Sequence, residues 1–216
     1  MKKEHVLIIV LVGGLWGLSE AVLGDALYSA DVRHASVYLT VIAFFLLAVA
    51  ARFVPFRGAL TAIGLLAMCY KFLNVPFFAC HLTGIALLGV SFDLVFRWKP
   101  SAAADDASPL AAGAKAVVAA YLGYALFYVA MVLVFRNEYW LARGWSGLVR
   151  HVGVDASLAA AGCALAVPLG LAVGRRLRGR VAGAGPLGLQ PRLAGALGTL
   201  VAVCIWAWGM TAKLWS

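Results

Sequence analysis

Seven apolar runs alternate with short polar stretches along the chain, at residues 6–24, 35–55, 58–75, 77–96, 113–135, 153–174 and 193–212. Each comes near the roughly 20 residues that a helix needs to cross a bilayer. The pattern predicts an all-α, polytopic membrane bundle of about seven transmembrane helices. The third and fourth runs meet at Leu73-Asn74-Val75-Pro76-Phe77-Phe78. Pro76 breaks a helix there and biases Val75 away from helical geometry. A tight turn makes the two runs an antiparallel pair, and the count drops to six if one of the apolar segments is not a true span.

The polar stretches give the orientation. With the N-terminus inside, the inner segments hold Lys2, Lys3, Arg52, Arg57, Arg97, Lys99, Lys115, Arg175, Arg176, Arg178, Arg180 and Arg192. The outer segments hold Arg33, Lys71, Arg136, Arg143, Arg150 and Lys213. Twelve cations against six favour N-inside and C-outside by the positive-inside rule, with Arg175 to Arg180, read as a loop, the strongest determinant. Residues 1–216 form a single integral membrane domain, in which residues 100–112 are a cytoplasmic linker between a four-helix and a three-helix part. Residues 136–152 mix Tyr139, Trp140 and Trp145 with Arg143, Arg150 and His151, an amphipathic segment suited to the membrane surface or to a cavity mouth.

The first apolar run departs from a plain lipid anchor. Gly13, Gly17 and Ala21 recur every four residues and form one stripe of small side chains. Such a stripe lets another helix approach closely, so these three are read as a partner-docking surface. Glu20 lies beside it in a segment with no other charge. A carboxylate at membrane depth normally faces a bundle interior or polar cavity. Although Lys2 and Lys3 precede the run, it continues through Ala21-Val22-Leu23, and it is read as a retained helix rather than a cleaved signal.

Composition narrows the class. The 216 residues are 64% hydrophobic and only 12% charged, with mean hydropathy +0.94, which places the chain in a membrane, expected to be the inner (plasma) membrane. The net charge of +9 then reflects basic cytoplasmic loops facing anionic lipid, with no role for nucleic acid. Cys69, Cys80, Cys163 and Cys204 form no CxxC pair and are read as small apolar fillers.

In this topology the polar residues at membrane level gather on the outer side. Glu20 and Asp25 belong to helix 1, Lys71 and Asn74 end helix 3, His81 opens helix 4 and Asp155 opens helix 6. Asp31, Arg33 and His34 fill the first outer loop. Glu20, His81, Asn74, Asp155 and Asp25 are the candidate substrate-binding residues. If a metal binds, Glu20 and His81 are its expected ligands, although no HxxxH, HExxH or CxxC spacing is present. Lys71 could instead neutralise Glu20. On the inner side, Asp93 is read as a structural partner of Arg97, four residues on. There is no Walker loop and no GxSxG.

The glycine stripe of helix 1 resembles the small-residue AxxxA face of substrate-capture subunits of energy-coupling-factor transporters. The segment His81-Leu82-Thr83-Gly84-Ile85-Ala86-Leu87-Leu88-Gly89-Val90-Ser91-Phe92-Asp93 is similar to a glycine-rich helix ending in Asp in those subunits. The resemblance covers about the first 95 residues. It implies a small bundle that binds a vitamin or metal near its outer side, driven by a separate transmembrane coupling subunit and two cytoplasmic ATPases. His5, preceded by Met1-Lys2-Lys3-Glu4, does not reproduce the His-bearing N-terminus of the seven-span cobalt and nickel members.

The function expected is that of a membrane transport subunit binding a small molecule or metal ion in a polar cavity near the outer face. Two alternatives stand beside it: a membrane-embedded enzyme using Glu20 and His81 as acid and base, and a non-catalytic scaffold subunit of a membrane complex.

Overall fold

The computed structural model describes residues 3–71, 79–97 and 108–183. They form helices α1 (Lys3–Ser29), α2 (Ala35–Ala51), α3 (Ala59–Tyr70), α4 (Ala79–Arg97), α5 (Pro109–Val129), α6 (Glu138–Leu148) and α7 (Ala156–Gly183). Single π-helical stretches, Ala130–Val134 and Val149–Asp155, extend α5 and lead into α7. The described part is all-helical. Lys3–Ser29, Cys80–Arg97, Pro109–Val134 and Glu138–Arg180 are each long and apolar enough to cross a membrane. Large apolar side chains face outward, among them Leu15, Leu133, Val134, Leu165 and Leu169, and such a surface suits contact with lipid.

Helix lengths depart from the apolar runs. Helix α1 is longer than residues 6–24 at both ends. At 1.5 Å per residue, the 12 residues of α3 reach about 18 Å, short of a bilayer core of about 30 Å. The apolar run 193–212 lies outside the described residues. Helix α5 starts at Pro109, four residues before the expected boundary, because Ser108 caps it: its hydroxyl oxygen accepts a hydrogen bond from Ala111 N at 3.2 Å, with Pro109 behind it in the first turn. Arg175 to Arg180 lie in the last turns of α7 rather than in a loop.

Apart from the short α6, the helices close a ring: α1 packs on α3, α3 on α4, α4 on α5, α5 on α7, α7 on α2, and α2 on α1. Successive helices run in opposite directions, so the C-terminal ends of α1, α3 and α5 meet the N-terminal ends of α2, α4 and α7. Within the described residues, the four helices α1–α4 contact α5 and α7 through α4–α5 and α2–α7. The interior holds Trp16, Phe44, Leu47, Leu60, Ile63 and Phe92, with Phe44 edge-on to Phe92 at 5.0 Å.

Small residues set the approach of the helices. A Cβ on Gly17 would sit 2.5 Å from the Tyr70 ring, and one on Gly13 would sit 2.9 Å from Leu66. The helix-1 stripe therefore receives α3 of the same chain, and the partner-docking surface expected of Gly13, Gly17 and Ala21 is occupied at its two glycines. The buried face runs through Gly13, Gly17, Glu20 and Gly24, while Ala21 is only half-buried. A second stripe, unmarked in the sequence reading, lies on α7: Cβ atoms on Gly170 and Gly174 would meet the Phe45 and Val49 carbonyl oxygens of α2 at 2.6 and 2.8 Å.

The end of the ring away from the α1–α2 connection is tied by polar groups of α4. Asp93 is buried, and its Oδ2 accepts from Gly58 N at 2.6 Å and Thr61 Oγ1 at 3.2 Å, which holds the first turn of α3. Arg97 donates to the carbonyl oxygens of Ala51 at 2.7 Å, Pro55 at 3.2 Å and Val54, the unpaired C-terminal carbonyls of α2 and its turn. The structural role expected of Asp93 thus runs through the α2–α3 turn. Arg178 reaches the same turn from α7, donating to Arg52 O at 3.1 Å.

Candidate functional site

At the end where α1 meets α2, the described residues leave the ring open. Residues of α1, α2, α4, α5, α6 and the connections between them line a cavity of about 980 Å³. This is the upper end of the range for small-molecule pockets.

Glu20 reaches this cavity because the buried face of α1 turns toward it at that depth. The carboxylate is buried, and Trp16 Nε1 donates to Oε1 at 3.2 Å. Lys71, the residue after α3, is equally buried and donates from Nζ to the backbone carbonyl of Glu20 at 2.7 Å. Gly24 leaves room for the pair: a Cβ there would lie 3.2 Å from Lys71 Nζ and 3.7 Å from Glu20 Oε2. The Lys71 charge acts on both Glu20 and His81. Glu20 and Lys71 both line the cavity, with Lys71 bound to the backbone of Glu20.

His81, in the first turn of α4, also lines the cavity and stacks on Tyr28 of α1 with ring centroids 5.0 Å apart. Asp155 sits opposite, where the π-helical stretch enters α7. Its Oδ1 is 2.7 Å from His34 Nδ1, and its Oδ2 is 3.7 Å from His151 Nδ1. His34 takes a left-handed conformation (φ 60°) as the N-cap of α2, and this turns its ring across the connection toward α7.

Of the expected site residues, Glu20, His81 and Asp155 line one cavity. Asn74 lies outside the described residues. Asp25 is exposed and does not line it, because five residues along a helix rotate it about 140° from Glu20. Among the described residues no three His, Cys, Asp or Glu side chains are grouped to hold a metal ion. Of the cysteines read as small apolar fillers, Cys163 is buried, Cys69 is exposed and Cys80 lines the cavity; Cys204 lies outside the described residues.

The sequence reading named Trp140 in the amphipathic segment but passed over Tyr124 and Phe127, which complete an aromatic wall. Tyr124 and Phe127 of α5 and Trp140 of α6 line the cavity and surround the His151 ring at centroid distances of 4.8, 5.1 and 5.0 Å. Tyr124 Oη lies 3.3 Å from Thr40 Oγ1 of α2. The i, i+3 spacing of Tyr124 and Phe127 signals a shared face, but not which helix it meets. Helix α6 is fixed by its cap, Asn137 Oδ1 accepting from Trp140 N at 3.4 Å, and by Tyr128 Oη donating to Gly144 O at 2.6 Å. Gly144 breaks it with φ 48° and ψ −131°, a backbone that suits glycine. The segment read as amphipathic thus supplies one wall of the cavity.

Comparison with known protein families, with curated proteins and with solved structures finds no match to this chain.

Proposed function

We propose that this chain is the small-molecule-binding subunit of a membrane transport system, with its ligand held in the cavity walled by Glu20, Lys71, His81, Asp155 and the Tyr124–Phe127–Trp140 aromatic face. The observation that carries this reading is the cavity itself. It gathers buried charge at one end of an apolar bundle, where charge is costly unless it is paired or used. Its size and aromatic wall suit an organic molecule better than a bare metal ion.

The proposal includes seven spans with the N-terminus inside, so that the cavity faces outward. The twelve-to-six distribution of Lys and Arg supports that orientation. It also includes the arrangement implied by the energy-coupling-factor resemblance: a transmembrane coupling subunit and cytoplasmic ATPases supply the driving force, since this chain carries no Walker loop. With Gly13 and Gly17 packed against α3, a coupling subunit meets another face of the bundle.

The test is mass spectrometry of small molecules retained on gently purified protein, wild type against Gly84→Leu. Gly84 lines the cavity, and among the described residues a Cβ there meets only the Phe127 ring, at 3.6 Å, so the larger side chain fills ligand space with little strain. A species retained by the wild type and reduced at least tenfold in a variant with unchanged melting temperature is expected. Equal retention by both proteins overturns the proposal.

A further inference from the structure

We propose, resting on the cavity reading above, that the ligand is an organic anion whose flat ring lies on the aromatic wall and whose carboxylate or phosphate meets Arg143 and Arg150. Three observations lead there. Tyr124, Phe127 and Trp140 present ring surface to the cavity, and such surface favours flat apolar or π-bonded groups. His151, packed among those rings, has a buried Nε2 with no hydrogen-bond partner among the described residues. A ligand hydrogen-bonding group would satisfy it once the rings around it part.

The third observation is the charge left over. Among the carboxylates lining the cavity, Glu20 is held by Trp16 beside Lys71 and Asp155 by His34, while the exposed Asp31 lies two residues from the exposed Arg33, which lines the cavity too. Arg143 and Arg150 line the same cavity from the side of Trp140. The Arg143 guanidinium lies 4.1 Å over the Tyr139 ring, a contact that orients it without neutralising it. Two guanidinium groups beside an aromatic face match an anion attached to a ring, and guanidinium binds carboxylate and phosphate with paired hydrogen bonds.

The anionic group can belong to a soluble metabolite or to a lipid headgroup, and one experiment separates the two. Equilibrium dialysis of the full chain, in phosphatidylcholine nanodiscs with and without phosphatidylglycerol, measures three probes of matched size: indole-3-acetate, its neutral analogue indole-3-acetamide, and cationic tryptamine. Indole-3-acetate is expected to bind at least tenfold more tightly than either of the others, and Arg143→Gln/Arg150→Gln to erase the difference. Competition by phosphatidylglycerol assigns the anion to a lipid; binding indifferent to it assigns a soluble molecule. Equal or tighter binding of the amide or the amine, or no binding of indole-3-acetate in either nanodisc, overturns the proposal. These results leave the cavity reading standing as long as Gly84→Leu still abolishes retention of the native species.

Discussion

At the scale of single residues, α1 shows how a correct principle lands one position off. Steps of four along a helix advance about 400°, so a stripe read as Gly13, Gly17, Ala21 drifts by about 40° per step. The face that packs follows steps of four, three and four, through Gly13, Gly17, Glu20 and Gly24. Glu20 is therefore part of the buried face rather than beside it, and Gly24 makes room for Lys71 Nζ. Gly17→Leu forces bulk into the Tyr70 ring, and overpacking of this kind costs about 1–3 kcal/mol. Its expected effect is a lowered melting temperature of the isolated chain in detergent. An unchanged melting temperature would mean that α3 does not pack on this stripe. Asp155 was legible as a polar residue at a helix start, but its partner was not. His34 lies 121 residues away, and only the fold brings the two within 2.7 Å.

Among the helices, hydropathy located every described long helix, because each must present apolar side chains to its surroundings over most of its length. Boundaries were less legible where local chemistry outweighs hydropathy. Ser108-Pro109 starts α5 inside what looks like a small-residue linker, and α7 carries its arginines within helical turns. The glycines of α7 also went unread, since their meaning depends on α2 lying opposite. The clamp at the far end of the ring joins three helices through two residues of α4. Asp93 holds the start of α3, and Arg97 holds the end of α2. Removing Asp93 frees the Gly58 amide and the Thr61 hydroxyl, and removing Arg97 frees the carbonyls of Ala51, Val54 and Pro55, partly buried or exposed groups whose lost hydrogen bonds cost about 0.5–1.5 kcal/mol each. Asp93→Ala and Arg97→Met are each expected to lower thermal stability. Because both tie the same α2–α3 turn, the double variant is expected to lose less than the two separate losses combined. Full additivity in that double-mutant cycle would mean that the two residues act on independent parts of the bundle.

For the whole molecule, the class of fold was legible from composition and the seven runs, and the gathering of Glu20, His81 and Asp155 was legible from the up-and-down order of the helices. The aromatic wall was not, because Tyr124, Phe127 and Trp140 come from two helices whose mutual approach no local pattern encodes. The proposed outward-facing cavity joins these parts: an aromatic and charged wall at one end, the Asp93 and Arg97 clamp at the other, and apolar side chains around the outside. It is tested most directly by labelling intact cells with a membrane-impermeant maleimide, in a chain whose four cysteines are replaced by alanine. Ser36→Cys places the probe site in the cavity wall, and Gly179→Cys places it in the last turns of α7, where a new side chain meets nothing within 4 Å among the described residues. The expected result is labelling of Ser36→Cys in intact cells and of Gly179→Cys only after permeabilisation. Labelling of Gly179→Cys from outside, with Ser36→Cys protected until permeabilisation, would contradict it.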